Sequence, residues 1–231
     1  MPDDEGRVPY RPTRLDPAEM EGRAADFYAE LDQRRSVRSF SPDPVPRRLI
    51  ELAIRTASTA PSGAHQQPWT FVVVGDPETR RRIRAAAEAE ERHSYESRMS
   101  EEWLDALTPL GTSWQKAYRE IAPWLVVLFE QVHGTFPDGR HKKHYYARES
   151  VGMAAGLFIT AINHMGLATL THTPSPMGFL TQILQRPRNE RPFVLFPVGY
   201  PADDATVPGI RRKSLEEVAV FDPELADPDE R

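Results

Sequence analysis

No cysteine occurs among the 231 residues. That single absence excludes disulfides, cysteine-ligated zinc, iron–sulfur clusters and thiol nucleophiles. Basic charge is not in excess either. The formal net charge is −5, so no general affinity for a nucleic-acid backbone is expected and any anion site must be local. Long hydrophobic runs are missing. The most apolar stretch, 151–170, is interrupted by Thr160, Asn163 and His164, and reads as a buried helix leading into a strand rather than a membrane span. The opening residues, Met1-Pro2-Asp3-Asp4-Glu5, are acidic and precede no apolar segment, unlike a secretory or transit peptide. A cytoplasmic location is the default expectation. No Gly-rich phosphate loop, Gly-x-Ser-x-Gly elbow or internal repeat is found. His141-Lys142-Lys143-His144, near Glu149, lacks a second ligand pair, so no metal site is expected.

What remains is the composition of a folded protein. Hydrophobic residues make up 39% and charged residues 27%, well away from the signature of disorder, and the length suffices for a substantial core. Residues 1–15 carry three prolines and no periodicity, and read as an arm. A helix is predicted next: Asp16 caps it, Pro17 suits its first position, and Met20, Ala24, Phe27 and Leu31 form an apolar stripe. Leu49, Leu52, Ala53 and Ala57 predict a second helix. Continuous β-branched and aromatic character predicts a buried strand over 69–74, and Asp76-Pro77 opens a helix running to about residue 91. Further strands are expected over 124–131, 168–172 and 193–200, with a long helix over 145–165. Strands alternating with helices favour, on their own, a parallel sheet. The acidic, proline-containing end, 222–231, is expected to be a flexible tail.

Four stretches could carry chemistry. Arg34, Arg35, Ser36 and Arg38 place three guanidinium groups and a hydroxyl within five residues, a set able to converge on a phosphate. Taken alone, such a cluster is also what a solvated, salt-bridged surface looks like, and the same holds for Arg211-Arg212-Lys213. Pro61-Ser62-Gly63-Ala64 precedes a buried strand and would let backbone amides approach a planar ligand; an ordinary tight loop would look the same. Glu91 and Tyr95 share a helix face, and Lys116 follows after a polar stretch; by itself this is a charged helix surface.

Together these stretches resemble the nitroreductase superfamily of FMN flavoproteins, and within it the iodotyrosine deiodinases. The resemblance runs from about Val8 to Val218. It is carried by RRSVRSF (34–40), RTASTAPSGAHQQPWTFVVV (55–74), the Glu91 and Tyr95 helix, Lys116 within 114–118, QVHG (131–134), HYYARESV (144–151), THTP (171–174) and FPVGYP (196–201). It implies an α+β fold, a nitroreductase-like sandwich with a mixed, mostly antiparallel sheet flanked by helices, spanning 16–221 and assembled as an intertwined homodimer. FMN is the implied cofactor. Arg34, Arg35, Ser36, Arg38 and Arg212 would hold its phosphate and ribityl chain. Pro61, Ser62 and Gly63 would be lent across the dimer interface, and Thr171, His172 and Thr173 would lie along the flavin. The Thr173 hydroxyl, at flavin N5, is the implied catalytic group. Ala64 would offer its amide to a substrate phenolate, and Glu91, Tyr95 and Lys116 would grip an amino-acid zwitterion. Residues 88–118 would then form a lid, expected to be mobile when empty.

The resemblance implies reductive removal of halogen from 3-iodotyrosine, and from bromo- and chlorotyrosine, with electrons from an NAD(P)H-linked flavin reductase or another donor. It departs at His172, where a threonine is common, and at Ser175-Pro176-Met177. Two alternatives stand beside it: an NAD(P)H-dependent nitroreductase or quinone reductase of the same fold, and a non-catalytic module binding flavin or a tyrosine-like ligand.

Overall fold

The computed structural model describes residues 6–221. Seven α-helices and six strands occur among them: α1 Pro17–Asp32, α2 Arg47–Ala57, β1 Trp69–Val74, α3 Pro77–His93, α4 Glu101–Leu107, α5 Tyr118–Ile121, β2 Trp124–Gln131, β3 His133–Thr135, β4 His141–Lys143, α6 Ala147–His164, β5 Ala168–Thr169, α7 Gly178–Ile183 and β6 Glu190–Gly199. Residues 6–15 form neither helix nor strand, and the expected tail over 222–231 lies outside the described residues.

Four strands form the central sheet in the order β1-β2-β6-β5, every neighbouring pair antiparallel. The parallel sheet favoured by simple alternation is therefore wrong, and the antiparallel arrangement implied by the resemblance is right. Alternation misleads here because the helices do not connect adjacent parallel strands: β1 and β2 pair directly across an excursion of three helices. One parallel contact exists, an isolated bridge between Ser36 and Thr169 at the sheet edge.

The central strands β2 and β6 are buried on both faces, which is why they read as apolar runs, whereas the edge strand β1 leaves Val73 exposed. Val126 and Leu128 of β2, with Val194, Phe196 and Val198 of β6, pack against Ile50 and Ala53 of α2 and Val151, Ala154 and Phe158 of α6. The alternate residues Leu125, Val127, Phe129 and Leu195 face Ile83 of α3 and Leu180 of α7. Truncating a fully buried ring such as Phe129 to Ala should cost about 3–5 kcal/mol. A register shift between Leu128 and Phe129 places Pro192 opposite Phe129, an irregularity that accommodates a residue with no ladder N–H.

The helix starts follow their caps. Asp16 accepts from Glu19 N–H at 3.0 Å, and Asp76 accepts from Thr79 N–H at 2.7 Å, each followed by proline at the first helical position. α1 differs from the other long helices in burying no residue: Met20, Phe27 and Tyr28 are 57%, 51% and 70% exposed. Its apolar stripe is real, but its own chain does not cover it. Two strand boundaries also move: regular pairing of β5 ends at Thr169, with His172 rejoining β6 through a single bridge to Leu195, and β6 starts at Glu190.

Candidate active site

The arginine cluster is built where α1 ends. Val37 N–H donates to Thr169 C=O at 3.3 Å, so residues 34–38 run beside β5 and bring the arginines to the sheet edge. Arg34, Arg35, Ser36, Arg38, Arg211 and Arg212 line a cavity of about 320 Å³. Arg212 arrives from far along the chain, its guanidinium donating to Asp32 C=O at 2.7 Å, Asp32 Oδ1 at 2.9 Å and Arg34 C=O at 2.7 Å. Arg35 turns back on the carbonyls of Asp32 and Arg34. The side chains of Arg34 and Arg38 have no hydrogen-bonded or ion-paired partner among the described residues. Partial burial, then the neighbouring charges of Arg212 and Arg35, hold the Arg34 guanidinium below its ordinary pKa. A half-buried group of like charges is relieved by a multivalent anion, and a phosphate ester fits this site.

Ser36 and Arg34 also line a second cavity, of about 360 Å³, with Thr171. The segment through Thr171 is pinned to β6, since His172 N–H and C=O both pair with Leu195 at 2.9 Å. Side chains alternate in an extended chain, so Thr171 and Thr173 leave one face and His172 the other. Thr173 is exposed. His172, expected along the cofactor, directs its ring toward Glu91.

Glu91 belongs to the buried stripe of α3, Ile83, Ala87 and Glu91, each four residues from the last. The periodicity that buries alanine and isoleucine thus carries a carboxylate inward. Its Oε2 lies 3.3 Å from Lys116 Nζ, and its Oε1 lies 3.3 Å from Arg119 Nη2 and accepts from His172 Nε2. Lys116 Nζ also donates to Thr112 Oγ1 at 2.6 Å and stands 5.9 Å from the Tyr95 ring centre, while its backbone N–H donates to Glu88 at 2.7 Å. Glu91, Tyr95 and Lys116 are therefore brought together as expected. Burial pushes the Glu91 carboxyl up, but the His172 hydrogen bond and the Lys116 and Arg119 charges outweigh it and hold it below the usual range. Burial lowers Lys116 and Arg119 and pulls His172 down to about 4 from its ordinary 6.5. The histidine is neutral at pH 7. Burial also raises the Tyr118 phenol to about 12.

Arg119 is missing from the residues expected from sequence. It is fully buried, with Nε and Nη1 unpartnered. A lone arginine in the short segment Tyr118–Ile121 carries no periodicity that would mark it as interior.

Among the described residues, Pro61, Ser62 and Gly63 make no hydrogen bond to the arginine cluster. They are clamped to the start of α6 instead: Gly63 N–H donates to Ser150 Oγ at 3.3 Å, and Gln66 bridges Lys143 C=O and Tyr145 N–H, each at 2.8 Å. A Cβ on Gly63 would fall 2.2 Å from the Tyr145 carbonyl oxygen, so only glycine fits. Ala64, His65 and Gln67 all have left-handed backbones, with φ of 50°, 53° and 49°. Such strain concentrates where a loop's shape matters. The histidines are occupied locally: His144 Nδ1 contacts Gln131 C=O at 2.7 Å and His141 stacks on His133 at 4.0 Å. Among the described residues no group of three or more His, Cys, Asp or Glu is placed to hold a metal ion, and no helix is long and apolar enough to cross a membrane.

An antiparallel sheet between helices, with an arginine-lined cavity at its edge and a buried cluster of charged side chains around Glu91, is the arrangement of a nitroreductase-type α+β protein. The Nitroreductase family model matches residues 31–200. An iodotyrosine deiodinase of Haliscomenobacter hydrossis is 54% identical over 213 residues, covering 92% of this chain and 96% of that protein. That of Danio rerio is 46% identical over 215 residues, covering 93% of this chain and 73% of the other. A crystal structure of oxidized iodotyrosine deiodinase bound to FMN and 3-iodo-L-tyrosine matches with a TM-score of 0.72 at 29% identity, over 84% of this chain and 100% of that one. The chain belongs to the nitroreductase family, in its iodotyrosine deiodinase branch.

Proposed function

We propose that this chain is an FMN-dependent dehalogenase that converts 3-iodotyrosine, and also bromo- and chlorotyrosine, to tyrosine and halide. The observation that carries this reading is the buried pairing of Glu91 with Lys116 beside Tyr95. An amino-acid zwitterion carries the same two charges and can exchange partners with the pair, its carboxylate going to Lys116 and its ammonium to Glu91. Water is excluded there, so each exchanged contact is stronger than at the surface.

Bound FMN supplies the two electrons. Arg34, Arg35, Ser36, Arg38 and Arg212 hold its phosphate and ribityl chain, with Thr171 and His172 contributing through the segment they define. The Thr173 hydroxyl hydrogen-bonds flavin N5. Pro61, Ser62 and Gly63 reach the cofactor of a second copy in a homodimer. The uncovered stripe of α1 supports that assembly. Ala64 N–H receives the substrate phenolate. An ortho-halogen lowers a phenol's pKa below about 10, so a phenolate-accepting site selects halotyrosine over tyrosine. A proton is delivered to the halogen-bearing carbon, two electrons enter the ring system, the carbon–halogen bond breaks and halide leaves. Residues 88–118 act as the lid, and an NAD(P)H-linked flavin reductase or another donor re-reduces the protein. The site of action is the cytoplasm.

The test is anaerobic titration of the reduced holoprotein with 3-iodo-, bromo- and chlorotyrosine, following flavin oxidation and tyrosine formation. Stoichiometric oxidation with halide release is expected. Oxidation by nitroaromatics or quinones without any by halotyrosines would instead mark an NAD(P)H-dependent nitroreductase or quinone reductase.

A further inference from the structure

The two oxygens of Glu91 are treated unequally. Oε1 accepts from His172 Nε2 and lies 3.3 Å from Arg119 Nη2. Oε2 is buried and makes no hydrogen bond, with Lys116 Nζ facing it at 3.3 Å. Arg119 Nη2 is 2.8 Å from both ring nitrogens of His172. A neutral imidazole has one donor and one acceptor. With Nε2–H directed at Glu91, Nδ1 is left to accept from Arg119, so one tautomer satisfies the whole arrangement.

We propose that Arg119 and His172 are positioning residues for substrate recognition: they clamp Oε1 of Glu91 and leave Oε2 presented to the ammonium group of an amino-acid substrate. The proposal rests on the reading of Glu91 and Lys116 as the zwitterion grip. The clamp joins three separate elements, α3, α5 and the segment after β5, around one carboxylate. A glutamate side chain has three rotatable bonds, and ordering them before the ligand arrives removes that cost from binding. Stability alone does not explain Arg119. A fully buried guanidinium with two unpartnered nitrogens is poorer packing than an apolar side chain of similar volume. The clamp also gives His172 a function on the side of the chain facing away from Thr171 and Thr173.

The experiment uses FMN-loaded, oxidised protein and measures ligand binding by flavin fluorescence. Two ligands are compared: 3-iodo-L-tyrosine, and 3-(3-iodo-4-hydroxyphenyl)propanoate, which keeps the phenol and carboxylate but lacks the ammonium. His172→Leu and Arg119→Leu should each weaken iodotyrosine binding by roughly tenfold or more while changing the propanoate by less than about twofold. His172→Asn, which restores a donor toward Glu91, should recover most of the loss. Equal weakening of both ligands, or no weakening of iodotyrosine, overturns the proposal. Should Arg119→Leu fail to fold, the His172→Leu and His172→Asn pair decides. If the unsubstituted protein does not bind iodotyrosine, the functional reading itself falls, an outcome distinct from failure of the clamp.

Discussion

Lys116 Nζ lies 3.3 Å from Glu91 Oε2, and the two side chains are only 5% and 9% exposed. Because Arg119 also faces Glu91, the carboxylate has two cationic neighbours, whereas Lys116 has one anionic neighbour. Removing either member therefore has unequal consequences. Glu91→Gln leaves two buried cations without a counter-charge and should cost about 3 kcal/mol or more in urea denaturation. Lys116→Met leaves Glu91 still facing Arg119 and should cost less. Both should lower kcat/KM for 3-iodotyrosine by about a hundredfold, near 3 kcal/mol of lost stabilisation. Unchanged iodide release from either variant would remove the zwitterion grip.

His172 sets a pH dependence of stability. Its folded pKa, about 4, lies below its ordinary 6.5 because burial disfavours the charged ring. Between those values the unfolded chain binds more protons than the folded one, so stability is full above pH 6.5 and falls as pH drops toward 4. The loss approaches about 3 kcal/mol. Glu91, held below the usual carboxylate range, adds its own loss at the acidic end as it protonates. Unfolding free energy measured from pH 7 to 4 should be flatter in His172→Leu; an identical slope would refute the assignment.

The anion site predicts how FMN is lost. Arg34 has no carboxylate on it and is available to a phosphate, whereas Arg212 is also tied to Asp32 at 2.9 Å. Arg34→Ala should weaken FMN binding by tenfold or more, from a charge-assisted hydrogen bond of about 1.5–3 kcal/mol. Fluorescence titration at two salt concentrations checks this. Retained affinity would place the phosphate elsewhere.

Gly63→Ala places a methyl group 2.2 Å from the Tyr145 carbonyl, and backbone must move to admit it. A drop of about 2 kcal/mol or more in stability is expected, with reduced FMN content if the loop serves the cofactor of a second copy. Thermal unfolding together with flavin-to-protein ratio measures both.

The uncovered stripe of α1 predicts association. If the proposed shared-site homodimer forms, Phe27→Asp should shift sedimentation from dimer toward monomer and lower FMN occupancy, since a separated chain would lose the loop lent by a second copy. A monomeric unsubstituted protein that retains flavin would contradict the shared-site reading.

Much of this was legible in sequence, for identifiable reasons. Asp16-Pro17 and Asp76-Pro77 announce helix starts because capping is local, and both caps form. The WTFVVV run announces a strand, and β1 begins and ends with it, but as an edge strand it buries only Trp69 and Val74 and leaves Val73 exposed. Strand direction was not local. Alternation of elements points to parallel pairing; the family resemblance implies antiparallel pairing, and the long-range register of β1 with β2 bears it out. The end of β5 was misplaced for a similar reason: a bridge to Leu195 keeps His172 extended without continuing the ladder.

For the site, the sequence by itself determined the chemical inventory. The absence of thiols, the arginines at 34, 35 and 38, and the i, i+4 spacing of Glu91 and Tyr95 are properties of the sequence alone, although α3 ends at His93 and Tyr95 lies in the π-helical turn 94–98 that follows. Tertiary structure alone decided who meets whom. Arg212 folds onto Asp32 from 180 residues away, and Arg119 and His172 converge on one oxygen of Glu91. No short-range rule marks Arg119, because its burial comes from packing between distant segments, and a charge becomes interior only when those segments close around it.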